Sequence, residues 1–112
     1  MTILHICTEA AWQSAQEAGS YRAASLDTEG FIHCSTPAQV VGSANRYYAG
    51  QSDVVLLSID AHNLTSELKY ERANNGDTFP HIYGPLNTDA VTQVVPFPCN
   101  ADGTFTLPQC FE

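Results

Sequence analysis

Three short apolar runs each carry a histidine at their centre: Leu4-His5-Ile6, Ile32-His33-Cys34 and Pro80-His81-Ile82. In a β-strand successive side chains point to opposite faces. Runs of this kind therefore send Leu4, Ile6, Ile32, Cys34 and Ile82 into a core and turn His5, His33 and His81 the other way. The same alternation adds Cys7, Phe31, Ser35, Phe79 and Tyr83 to the histidine side. A face of imidazoles, aromatic rings and a hydroxyl, with no lysine or glutamate, reads as the floor of a cleft, because the solvated back of a sheet carries long charged side chains. The expectation is a strand-rich fold around one histidine-lined cleft.

A chain of 112 residues suffices for one domain, residues 1–112, with its own core. Four basic residues face twelve acidic ones, a formal net charge of -8. Nucleic-acid partners are disfavoured by that balance, since affinity for them comes largely from Lys and Arg on phosphates. A small nucleotide-like or other anionic molecule stays admissible. Cys7, Cys34, Cys99 and Cys110 show no C-x-x-C spacing, and two of them lie in apolar runs, the pattern of a reduced, intracellular chain. The first residues show no basic region followed by an apolar one, and no stretch approaches the roughly 18 apolar residues that span a bilayer. A cytoplasmic location and no membrane partner are expected. The oligomeric state is not specified by any feature of the sequence.

Ile3 to Cys7 is expected as the first strand, and Thr8 as the cap of a helix over Glu9 to Ala18 that ends at Gly19. Tyr21 to Leu26 reads as a short extended segment, Asp27 to Gly30 as a turn and Phe31 to Cys34 as the second strand. Ser35 or Thr36 is expected to cap a second helix with Pro37 in its first turn, running to Tyr48 and stopping at Gly50. The unbroken apolar run Val54 to Ile59 predicts a central strand buried on both sides. Leu68 to Arg72, Phe79 to Tyr83 and Val91 to Val95 are further strands, with Ala73 to Asp77 a loop by composition. Pro80 lacks an amide donor and is expected at a strand start, an edge or a bulge. Two early helices followed by strands predict an α+β fold, the helices lying on a split or strongly bent, largely antiparallel sheet.

The stretch from His5 to Ser35 carries a resemblance. A histidine ending the first strand, Trp12 early in the next helix, Gly19 after it and then Gly30-Phe31-Ile32-His33-Cys34-Ser35-Thr36 resemble the start of the ADP-ribosyltransferase-like fold, with the RNA 2′-phosphotransferases as the nearest analogue. Gly30-Phe31-Ile32-His33-Cys34-Ser35 together with Phe79-Pro80-His81-Ile82-Tyr83-Gly84-Pro85-Leu86 is more closely similar to the bacterial domain-of-unknown-function family 952, over nearly the whole chain. The resemblance implies an ADP-ribosyltransferase-like fold and NAD or an ADP-ribose-like nucleotide as ligand. It implies that His5 hydrogen-bonds the ribose, and that His33 and Ser35 line the second strand of the same cleft. Such transferases carry a catalytic glutamate near the last strands; in Val91 to Val95 the polar residue is Gln93, and Glu71 is the one glutamate in the neighbouring strand candidates.

Chemistry gives these residues roles without the resemblance. Histidine titrates near neutral pH, so His5, His33 and His81 facing one cleft can supply an acid and a base to a substrate and are the candidate catalytic residues. His5, Ser35, Tyr83 and Arg22 are the candidate contacts for a nucleotide such as NAD, with Arg22 or Arg72 as the compensating cation. Free amides at the start of the helix near Pro37 would favour a phosphate or carboxylate beside His33 and Ser35. Two other classes stay open. Three imidazoles and a water make a workable zinc or iron site, but no supporting carboxylate is assignable, so no metal is expected. A noncatalytic metabolite-binding module would keep the cleft and lack the catalytic acid. Plainer roles stand beside these: Trp12 as a core plug, Ser35 as a helix cap, Glu71 as a surface carboxylate and His62 as an exposed turn residue.

Overall fold

The computed structural model describes residues 1–111. Thr2–Thr8 (β1) leads into Glu9–Ala18 (α1), followed by Ser20–Tyr21 (β2), Ala24–Thr28 (α2), Ile32–His33 (β3) and Val40–Tyr47 (α3). Val54–Asp60 (β4), Glu67–Arg72 (β5), Thr78–Tyr83 (β6), Leu86–Asn87 (β7) and Val91–Pro96 (β8) complete an α+β arrangement. The first helix has the ends its sequence calls for. Thr8 Oγ1 accepts from the Ala11 N–H at 3.1 Å, and Gly19, at φ 82°, returns its N–H to the Ala15 carbonyl, so both ends satisfy backbone groups that a helix leaves open.

Among the described residues the strands form three antiparallel sheets, ordered β1-β4-β8, β2-β7 and β3-β6-β5. In the first sheet β1 and β4 are buried on both sides, while the edge strand β8 is largely exposed. Ile3, Cys7, Val55, Leu57 and Ile59 share one core with Trp12, Ala15, Tyr21, Ile32, Cys34, Ile82 and Leu86. Leu4, Ile6, Val54 and Leu56 face a second core, closed by Val40 and Ala44 of α3 and by Phe97 and Phe105. The sheet β3-β6-β5 therefore packs on the first sheet through Ile32, Cys34 and Ile82, which leaves its other face free to carry a site. A two-residue bridge, Leu4 with Ser35, ties β1 to the end of β3.

Three local expectations are corrected. The segment Tyr21 to Leu26 is not extended throughout: α2 occupies Ala24–Thr28 without a side-chain cap, held by Leu26 against the core, by Ser25 Oγ donating to the Phe31 carbonyl at 2.8 Å and by an Arg22–Asp27 ion pair at 2.8 Å. These contacts are tertiary, and five residues with no cap carry little helical signal of their own. The other helix starts at Val40 rather than near Pro37. The Thr36 carbonyl accepts from the Gln39 and Val40 N–H groups, and Gln39 Oε1 accepts from the Thr36 N–H at 3.1 Å, so neither Ser35 nor Thr36 caps it, and the helix start expected to offer free amides near Pro37 does not lie there. Pro80 is neither at an edge nor at a strand start; it lies within β6, the middle strand of its sheet. Its carbonyl accepts from the Cys34 N–H at 3.0 Å, so its nitrogen faces Cys34 as well; the return bond that proline cannot donate is missing there, and the β3 ladder ends at His33. No helix among the described residues is long and apolar enough to cross a membrane.

Candidate functional site

Because Ile32, Cys34 and Ile82 point into the core, the alternation along β3 and β6 turns Phe31, His33, Phe79, His81 and Tyr83 onto the outer face of the β3-β6-β5 sheet. Register brings them together. His33 lies opposite His81, and across the β5–β6 hairpin Lys69 lies opposite His81, Glu71 opposite Phe79 and Glu67 opposite Tyr83. The Phe31 ring stacks on His81 at 4.1 Å between centroids and 18° between planes, and it meets His33 edge-on at 4.8 Å. The His33 and His81 rings are 5.2 Å apart.

Carboxylates order both imidazoles. Glu71 Oε1 lies 2.8 Å from His81 Nδ1 and also accepts a short hydrogen bond from the Tyr83 hydroxyl. A carboxylate only accepts, so Nδ1 of His81 is the protonated nitrogen and Nε2 of the neutral ring is left with a lone pair. The two hydrogen bonds, the one from Tyr83 first, hold the Glu71 carboxyl below the usual carboxylate range, and the same bond holds the Tyr83 hydroxyl above its ordinary range. Glu29 Oε2 pairs with His33 Nε2 at 3.0 Å, leaving His33 Nδ1 free. The two dyads differ in exposure: the His33 side chain is 53% accessible and that of His81 13%. His81 is thus shielded and oriented, and His33 is open to solvent.

His5 does not belong to this face, which corrects the expectation of three histidines in one cleft. It shares its side of β1 with Ile3 and Cys7 and is buried in the core, beneath the sheet that carries His33 and His81. Its Nδ1 lies 2.6 Å from the His33 carbonyl, which fixes Nδ1 as the donor. Nε2 then accepts from the Tyr21 hydroxyl at 2.8 Å. Burial lowers its pKa to about 4, so His5 is neutral at physiological pH and both its nitrogens are used. A three-histidine metal site therefore has no geometric basis here. Ser35 is also buried, its hydroxyl donating to Ser43 Oγ at 3.3 Å. Arg22 is exposed beside Asp27, and Arg72 alternates away from the odd-numbered positions of β5. Neither arginine joins the cluster.

His33, His81 and Tyr83 are thus brought together, while His5, Ser35 and Arg22 are not. Glu71, expected as a surface carboxylate, pairs with His81, and Lys69 and Glu29, to which the sequence assigned no role, lie beside the cluster. A signal for Glu71 and Lys69 was present: closing Ala73 to Asp77 as a hairpin loop pairs 71 with 79 and 69 with 81, on the face of His81. Trp12 is a core residue as its plainer reading has it, and His62 is exposed.

The family model described as a protein of unknown function, DUF952, matches residues 6–94. The crystal structure of protein CC0527 from Caulobacter crescentus is similar at a TM-score of 0.91 and 33% identity, covering 99% of this chain and 98% of that one. The solution NMR structure of CC0527 gives 0.80 at 35% identity over 92% and 90% of the two chains. No curated protein matches the chain.

Proposed function

The chain belongs to the DUF952 family of proteins of unknown function, and from that premise we propose that the outer face of the β3-β6-β5 sheet is an acid–base site for a small ligand. The observation that carries this reading is the His81–Glu71 pair, 2.8 Å long, beside the ring of His33. A carboxylate on Nδ1 orients the imidazole, leaves Nε2 as a proton acceptor and stabilises the imidazolium that forms. His33, with Glu29, is the second proton carrier and exchanges with solvent. Phe31 and Tyr83 offer ring surface on which a planar ligand group can lie.

The ligand class attached to this reading is NAD or an ADP-ribose-like nucleotide, which the resemblance to the ADP-ribosyltransferase-like fold brings with it. Glu71 offers the carboxylate that Val91 to Val95 lacks. In such a transfer the bond between the ribose carbon and the nicotinamide nitrogen breaks and nicotinamide leaves with the bonding pair. An acceptor nucleophile bonds to that carbon, and His81 Nε2 takes the acceptor's proton.

The test is histidine-detected NMR during titration with NAD, ADP-ribose and a panel of small metabolites. The expected result is that NAD, through its cationic nicotinamide ring, perturbs His33 and His81 with His5 unmoved, and releases nicotinamide in a reaction that is lost in His81→Asn and Glu71→Gln. Binding without release at these residues would make the protein a metabolite-binding module. If nothing in the panel moves His33 or His81, the site reading is wrong.

A further inference from the structure

We propose that the group seated on this face is a cationic organic group rather than the phosphate or carboxylate that the sequence suggested; this rests on the reading of the face as a ligand site and names the charge of the part that it takes. All four basic residues of the chain can be accounted for. Arg22 is engaged by Asp27 at 2.8 Å, Arg46 lies 5.5 Å from the centroid of the Tyr47 ring on α3, and Arg72 is on the other side of β5. Lys69 alone reaches the site. Against it stand Glu29 on His33, Glu71 on His81 and Glu67 opposite Tyr83. With both imidazoles neutral the face carries more negative than positive charge, and a phosphate or carboxylate would meet no arginine fork.

The position of Lys69 is an independent observation that points the same way. Its Nζ lies 4.6 Å from the centroid of the Tyr83 ring, the distance at which a cation is drawn to the negative face of an aromatic ring, and the Tyr83 hydroxyl is bonded to the carboxylate of Glu71. An ammonium group of the protein's own thus already occupies a ring-and-carboxylate seat. Lys69 is exposed, on a flexible stem, and an external cation can displace it at little cost. The Phe31 ring, 5.3 Å from Tyr83, widens the seat for a ligand with an apolar body behind its charge.

The experiment reads the sign of one substitution. Choline and n-butylammonium, with AMP as the anionic comparison, are titrated at low ionic strength into the full chain and into Lys69→Met and Glu71→Gln, following the Tyr83, His33 and His81 resonances. Removing the built-in competitor should tighten both cations about two- to fivefold, the scale of an exposed cation–π contact, and Glu71→Gln should weaken n-butylammonium by a similar factor. AMP should leave these resonances unmoved. If AMP moves His33 and His81 and Lys69→Met weakens it, the charge assignment is overturned while the ligand site stands. Absence of any cation shift at Tyr83 overturns the assignment too, and the metabolite panel then decides separately whether the face binds a ligand at all.

Discussion

The imidazole of His5 reaches the backbone carbonyl of His33 at 2.6 Å from beneath the sheet whose outer face carries the His33 ring. Two residues expected to share a cleft are instead stacked through a layer of backbone. The buried member holds the strand, and the exposed member faces solvent.

Stability should depend on pH through His5. Its folded pKa of about 4 lies below the ordinary 6.5, so between those values the unfolded chain binds the proton more readily than the folded one. The contribution is therefore complete above pH 6.5 and is lost as pH falls towards 4. A depression of this size is worth ~3 kcal/mol at most. Urea midpoints from pH 7 to 4.5 should show this slope in the wild type and a shallower one in His5→Gln; parallel slopes would show that His5 is not the group responsible.

His5→Ala should destabilise the fold by about 2–4 kcal/mol, since it empties a buried volume and strands the Tyr21 hydroxyl and the His33 carbonyl. Tyr21→Phe should cost about 1–3 kcal/mol by leaving Nε2 without a donor. Equilibrium denaturation of the two single variants and the double variant checks this. The prediction requires a coupling energy of about 0.5 kcal/mol or more, and strict additivity would contradict the hydrogen bond.

Tyr83 and Glu71 should titrate reciprocally. Each owes the first part of its displaced pKa to the other, so Glu71→Gln should bring the Tyr83 phenol down towards its ordinary value, and Tyr83→Phe should raise the Glu71 carboxyl. Ultraviolet titration of the phenol and NMR titration of the carboxyl carbon measure the two arms. Unchanged midpoints in both would contradict the bond.

Gly84→Ala should destabilise by about 1–3 kcal/mol. Gly84 has φ 154°, and a Cβ there would stand 2.5 Å from Ser66 Oγ and 2.9 Å from Ser66 Cβ, displacing the hydroxyl that donates to the Pro85 carbonyl at 2.7 Å. Thermal melts of Gly84→Ala alone and combined with Ser66→Gly separate the clash from backbone strain: relief in the double variant is expected, and equal losses would assign the whole effect to φ.

No stoichiometric transition metal is expected in protein purified without added ions, because His5 spends both ring nitrogens in the core and, of the three strand histidines, His33 and His81 alone share the outer face. Elemental analysis finding about one zinc or iron per chain, absent from His81→Ala, would contradict this.

Local pattern made a large part of the molecule legible. Thr8 and Gly19 bound α1 where the sequence expects them because capping uses groups within a turn of the helix end. The run Val54 to Ile59 becomes the middle strand of its sheet, buried on both sides, since no polar alternation leaves it a wet face. The outward turn of His33, His81 and Tyr83 follows from the period of two and from Ile32, Cys34 and Ile82 beside them. The family resemblance resting on Gly30 to Ser35 and Phe79 to Leu86 is matched by DUF952 over residues 6–94.

What the sequence determined by itself was the alternation: which neighbours of a strand oppose one another, where α1 starts and stops, and which of the longer runs are strands. Only the tertiary structure decided what each face meets. Leu4 and Ile6 are buried as expected, yet His5 opposite them is buried too, because Phe97 and Phe105, from a Pro-rich tail with no readable period, close a second core on the Leu4 side and leave His5 to face the first. Glu71 joins His81 only when a hairpin sets its register, and Arg22 leaves the site because Asp27 of α2 claims it. The physical reason is the same each time. Alternation is a property of one strand's stereochemistry, whereas burial and charge pairing depend on which distant segment packs against it, and that is settled by the fold as a whole.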